Sequence, residues 1–281
     1  MDDKEKIALI SLLDDSDEEV VQHVREKIIS LGDDIIPLLE SEWEASFNAV
    51  LQERIEDVIH FLQFTFFKRK LLAWKDGKDQ DLLEGMWIIA SYQYPDLDFL
   101  KLKQDVEQLY YEVWLDVKDD QDPYDQVRTI NNVFFNKLKF GPNTKNFHSP
   151  SNSMVNIVLE SRRGNPITLG VLYLLVAQKL KMPVFGVNLP NLFVLTYKVD
   201  GLQFYINAFN RGLIFTRDDV NNYIDQLKLE MIPIFHEPCT HVEIITRMLR
   251  NLIVSFEKIS EHEKVDELKS ILIAFSDLPE K

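Results

Sequence analysis

Asn165-Pro166, in the second half of a 281-residue chain, sets a helix-capping amide before a proline suited to the first helical turn. The helix it opens, "PITLGVLYLLVAQKL", presents about half a positive charge and unpaired N–H donors at its head. Such a head lowers the pKa of a cysteine thiolate and attracts anions. Pro166 fills the position where a thiolate would gain most, and Thr168, two residues on, has no base beside it in sequence. Arg162 and Arg163 precede the helix, either to hold an anion beside its amides or to pair with the chain's many carboxylates. His148, in a turn, either approaches the cleft at this helix head or is a surface-turn histidine, and the second is the reading. Cys239 sits in H-x-x-C-x-H with His236 and His241. That spacing lacks the second ligand pair of zinc motifs, so Cys239 is read as a small residue capping the helix that starts near Thr240. No metal and no cofactor are expected.

These residues need elements to position them. The first segment is helical: Ser16 and Glu19 have capping-box spacing, and Val20, Val24, Ile28 and Leu31 follow on one face before Gly32. A shorter helix over 7–13 precedes it, and "DDIIPLLESEWE" opens another, so the start resembles a HEAT-like pair. Helical spacing continues from Ser46 to Trp74, and "WKDGKDQD" (74–81) reads as a linker. Helices are expected over 82–92 and 99–117. Asp122-Pro123 caps a further one, whose stripe is Val127, Ile130, Phe134 and Leu138 and whose end is Gly141.

The pattern changes after Pro183. "VFGVNLP", "LFVLTYKV" and "LQFYINAF", the last two joined by Asp200-Gly201, predict about three short antiparallel strands. Helix returns in "TRDDVNNYIDQL", "THVEIITRMLRNLIVSFEKI" and "EKVDELKSILIAF", the last two resembling a tetratricopeptide-like hairpin. The fold class is α+β and mostly helical, a helix on a small antiparallel sheet flanked by helical segments. The expected divisions are 1–75, 80–235 and 236–281.

With 46% hydrophobic and 11% aromatic residues the chain can bury a core along almost its whole length. The net charge of −15, from 46 acidic and 31 basic residues, repels phosphate backbones and anionic lipid, so neither nucleic acid nor membrane is an expected partner. The longest apolar run, Ile167 to Ala177, is too short to span a bilayer. The acidic start "MDDKEKIALISLL" lacks the basic region of a secretory signal, which makes the cytoplasm the expected address.

A helix of this kind followed by a short antiparallel sheet is the layout of papain-like and transglutaminase-like enzymes. Five stretches sharpen the likeness: "FHSPSNS" (147–153), "RGNPITL" (163–169), "LPNLF" (189–193), "INAFNRG" (206–212) and "RMLRNL" (247–252). In this order they resemble the SirB-type family, a bacterial branch of the transglutaminase-like superfamily, over residues from about 82 to 258. The resemblance implies that the cysteine, histidine and aspartate positions of the superfamily's triad are held by Pro166, Leu192 and Asn207. None of these can perform covalent acyl transfer. It implies a cleft near Asn152, Arg162, Arg163, Asn165, Thr168 and Asn207, with Leu192 plugging the head of the helix. The expected function is a non-catalytic module that binds a protein or peptide. An amide hydrolase or transferase using another residue set, or a small-anion binder, are the alternatives.

Overall fold

The computed structural model describes residues 1–118 and 121–276. The chain divides into two compact units, Met1–Leu71 and Leu72 onward. Among the described residues no helix is long and apolar enough to cross a membrane.

The first unit holds α1 (Asp3–Ser11), α2 (Glu18–Ile29), α3 (Ile36–Ala45) and the greater part of α4 (Ala49–Asp76). Their buried stripes meet in a core of Ile10, Leu13, Val24, Ile28, Leu39 and Ile55. The cap of α2 is Asp17, not Ser16. Its carboxylate accepts from the Glu19 N–H at 2.9 Å, while its own N–H donates to Asp15 at 2.8 Å, so the helix starts one residue later than the Ser16–Glu19 spacing predicts. Gly32, with φ at +78°, ends the turn after α2 as expected.

The second unit begins where a linker was expected. Helix α4 instead continues to Asp76, and Trp74 is buried, its indole N–H donating to the Asp81 carbonyl at 2.7 Å. A buried indole with its hydrogen bond made ties this charged segment down. Then come α5 (Leu82–Ser91), α6 (Phe99–Trp114) and α7 (Pro123–Asn131), the last capped by Asp122 with Pro123 in its first turn. Residues Asn132–Lys137 widen into π geometry, which the helical stripe through Leu138 did not anticipate. The widened turn buries the consecutive Phe134 and Phe135, and both pack on Tyr173.

Two short parallel strands, β1 (Gly141–Pro142) and β2 (Arg163–Gly164), flank α8 (Val155–Ser161) and hold the chain just before α9 (Pro166–Lys179). Beyond α9 runs an antiparallel sheet in the order β3 (Val184–Leu189), β4 (Leu192–Val199), β5 (Leu202–Asn207), β6 (Leu213–Phe215). The first hairpin turns through Pro190 and Asn191, the latter at φ +57°, and the second through Asp200 and Gly201, at φ +77°. Strand β6 is a fourth, where about three were read from the sequence. Its three residues, entered through left-handed Arg211 and Gly212, are too few to show alternation.

Helix α9 packs on β3 and β4, burying Leu169, Leu172, Tyr173 and Val176. The approach is close. A Cβ added to Gly170 would lie 2.8 Å from the Phe193 ring, and one added to Gly186 would also lie 2.8 Å from it. The other sheet face carries α10 (Arg217–Gln226), whose Val220 and Ile224 pack with Val187, Val194 and Tyr205. The chain then passes α11 (His241–Lys258), capped by Thr240 in a box with Glu243, and α12 (His262–Ser276).

Candidate functional site

The head of α9 is built as its sequence requires. Asn165 is buried; its Oδ1 accepts from the Thr168 N–H at 2.9 Å and its Nδ2 donates to Ser153 Oγ at 2.8 Å. Pro166 has no N–H, so of the amides at 166–168 only that of Ile167 is left by the cap. The helix head is therefore a poor anion hole. Thr168 is fully buried, its hydroxyl has no hydrogen-bond partner among the described residues, and it does not line the cleft.

Asn152 is buried as well. Its Oδ1 accepts from Asn143 Nδ2 at 2.8 Å, and its Nδ2 donates to the Asn146 and Phe147 carbonyls at 2.7 and 2.9 Å. It stitches a turn together and presents nothing to a ligand.

Arg162 and Arg163 do not reach the head of α9. Arg162 is left-handed, with φ at +60°, and lies over the Phe140 ring at 4.6 Å. Burial depresses its pKa, opposed by Asp105 and Glu112. Arg163 donates to the Lys139 carbonyl at 2.5 Å and to that of Arg162 at 3.0 Å. Both guanidiniums are committed to the approach to α9 from the β1–β2 side.

Pro166 lines a cleft; Leu192 and Asn207 do not. Side chains alternate across a strand, so Phe193 and Leu192 face opposite ways. Phe193 is the residue turned toward α9, and Leu192 packs with the cluster under α10. Asn207 shares the pleat face of Tyr205, and its side chain accepts from the Asn210 N–H at 3.0 Å, capping the turn that follows β5. The expected plug of Leu192 on Pro166 is therefore not formed, and Phe193 instead packs against Gly170, one turn into α9.

The H-x-x-C-x-H residues are also dispersed. His236 meets the Tyr205 hydroxyl through Nδ1 at 2.8 Å and Asn221 Oδ1 through Nε2 at 3.0 Å, and His241 Nδ1 meets the Gln80 carbonyl at 2.9 Å. The Cys239 thiol is pushed up to about 12 by burial first, then by Glu243. Its backbone N–H donates to the Gly186 carbonyl at 2.8 Å, and the Asn188 N–H faces its sulfur, so this segment runs along the outer side of β3. Thr240, not Cys239, caps α11.

The cleft itself has a volume of about 720 Å³. One wall is the head of α9 with Phe147 and His148, another the β3–β4 hairpin tip, and the third a face of α11. That face was missed from the sequence. Glu243, Arg247, Arg250 and Val254 follow at steps of four, three and four, while Ile244, Ile245, Met248, Leu249 and Leu252 are buried behind them. The "RMLRNL" stretch contained the signal, because two arginines three apart on an amphipathic helix share its outer side.

Arg247 is half-buried. One of its nitrogens, Nη1, donates to the Leu189 carbonyl at 2.7 Å and to Asn188 Oδ1 at 3.3 Å. Burial holds its pKa below the ordinary arginine value, Cys239 and Tyr223 oppose that, and Arg250 adds to it. The Tyr223 hydroxyl donates to the Pro190 carbonyl at 2.8 Å, so the hairpin tip is held from both sides. The cleft hydroxyls are spent locally: Thr246 donates to the Val242 carbonyl at 2.7 Å and Ser255 to that of Asn251 at 2.8 Å. His148 is exposed and packs edge-on against Phe147.

The sequence profile of the transglutaminase-like superfamily matches residues 101–250. A UPF0162 protein of Xylella fastidiosa (strain 9a5c) is 30% identical over 191 residues, 64% of this chain and 66% of that protein. A UPF0162 protein of Pasteurella multocida is 28% identical over 113 residues, 40% and 43% of the two chains. F-box only protein 21 of Mus musculus is 28% identical over 157 residues, 53% of this chain and 24% of that protein. The match therefore spans less than two thirds of each of these relatives. No solved structure matches.

Proposed function

This chain belongs to the transglutaminase-like superfamily, and we propose that it uses the fold without the chemistry, as a module that binds a protein or peptide. One observation carries the reading: no nucleophile and base are paired in the cleft among the described residues. Pro166 heads the helix and Phe193 faces it. The cleft hydroxyls of Thr246 and Ser255 are turned back onto their own helix, and His148 is hydrogen-bonded to neither. Covalent acyl transfer needs a nucleophile within hydrogen-bond reach of a base, itself oriented by a third group.

The order of the five quoted motifs supports a SirB-type member whose motifs set Pro166, Leu192 and Asn207 at the triad positions in sequence, although Leu192 and Asn207 stand outside the cleft that Pro166 lines. Along the sequence, residues 1–75 are read as HEAT-like helices before the domain at 80–235, and 236–281, of which 277–281 lie outside the described residues, as a tetratricopeptide-like hairpin after it. The mouse F-box only protein 21 supports a portable module, since the matched region is 24% of that longer chain. The reading invokes no metal or cofactor.

The test is an assay of amidase and transglutaminase turnover on broad substrates. We expect the wild type to stay at the buffer blank, and His148→Ala and Thr168→Ala to change nothing. Turnover that disappears with either substitution would overturn the reading.

A further inference from the structure

Arg247 and Arg250 stand one turn apart on the cleft face of α11, and no carboxylate lies within ion-pair distance of either among the described residues. The chain is not short of acids, with 46 against 31 basic residues. The acid on the same stripe, Glu243, is engaged in the helix cap. Its carboxylate accepts from the N–H and hydroxyl of Thr240 at 2.7 and 2.9 Å, closing the cap of α11. Like charges three apart on a helix repel, and a guanidinium withdrawn from water without a counter-ion is costly. A guanidinium offers five N–H donors in a fork that fits a carboxylate. Arg247 spends Nη1 on the hairpin tip, which fixes the group while its remaining donors stay open.

The surroundings narrow the ligand. Asn188, Asn191 and Asn251 bring side-chain amides, which suit a peptide backbone, while the exposed Phe147 and Val254 offer apolar contact. A net charge of −15 opposes a polyanion but tolerates a single carboxylate delivered into a local positive patch.

Resting on the peptide-binding reading above, we propose that the cleft seats an extended peptide whose carboxylate is held between Arg247 and Arg250. The carboxylate comes either from the peptide's C-terminus or from an aspartate or glutamate side chain; the recognition chemistry is the same.

Fluorescence polarisation on the full chain separates these sources. Three labelled octapeptide pools of otherwise neutral sequence serve as probes: one with a free C-terminus, one amidated with a single aspartate or glutamate, one amidated and acid-free. We expect saturable binding of the first or second pool, which names the source, and none of the third. Arg250→Gln, at an exposed position, should weaken it about tenfold or more. Arg247→Gln should do the same, with circular dichroism recorded because it gives up the bond to the Leu189 carbonyl. Acid-free peptide bound as tightly as acidic peptide, or acidic peptide bound undiminished by Arg250→Gln, would overturn the carboxylate site and leave the peptide-binding module standing. Binding of no pool would overturn both. Displacement by inorganic phosphate but not by acetate would assign the arginines to phosphate and overturn the proposal.

Discussion

His236 is the residue whose surroundings make the sharpest demand on protonation. Asn221 Oδ1 can only accept, so Nε2 carries the hydrogen and Nδ1 accepts from the Tyr205 hydroxyl, the arrangement of a neutral ring. Burial first, then Arg217 and Lys198, hold its pKa below the ordinary 6.5, against the pull of Glu237. Above that value the ring is neutral folded and unfolded, and pH has no leverage through it. Below it the unfolded chain takes a proton that the folded one refuses, so stability falls as pH drops toward the depressed value. Melting from about pH 7.5 to about pH 5.5 should show a decline that His236→Gln makes shallower. An equal decline in the variant would show that His236 is not its source. At this scale the sequence was partly legible. Asn165 as a cap and Pro166 behind it were evident, because a cap is settled within a few residues. The burial of Asn152, the distance of Arg162 and Arg163 from the cleft and the turn of Leu192 away from it were not, because each depends on partners brought from elsewhere in the chain.

Among the elements, α9 against the sheet is the join on which the second unit depends. Gly170 sits where the helix meets the Phe193 ring, and Phe193 is itself buried against Gly186. Gly170→Ala improves helix propensity on paper, yet its methyl has no space, and an overpacked core position typically costs about 1–3 kcal/mol. Chemical denaturation should find the variant less stable; an unchanged or higher stability would rule out the close packing. The hairpin after Asp200-Gly201 was readable because a two-residue turn of that type dictates pairing. The short β6 and the π turn at Asn132–Lys137 were hidden, one by its length and the other because a widened turn answers to packing around Tyr173.

For the whole molecule the charge of −15 is the dominant long-range feature. Self-repulsion opposes compaction and salt screens it, with the Debye length falling from about 10 Å at 0.1 M to about 3 Å at 1 M. The thermal midpoint should rise by a few degrees between dilute buffer and about 0.5 M sodium chloride. A midpoint that falls with salt would mean that ion pairs such as Arg54–Glu18 and Arg69–Asp33 outweigh the repulsion. Composition announced a folded acidic chain but not its division at Leu71–Leu72, which falls inside the continuous helix α4, nor the cleft, whose walls come from residues about a hundred positions apart.

The passage of residues 237–240 along β3 bears on how copies of this chain behave toward one another. An open sheet ends in two rows of backbone groups that can recruit a strand from a neighbouring molecule. Here one border is β6, only three residues long. At the other, the Gly186 carbonyl is taken by Cys239 and the Asn188 N–H faces the Cys239 sulfur. A foreign strand would have to peel this segment away before it could add. Cys239 thereby helps keep a sheet rich in apolar residues from becoming a template for its own copies.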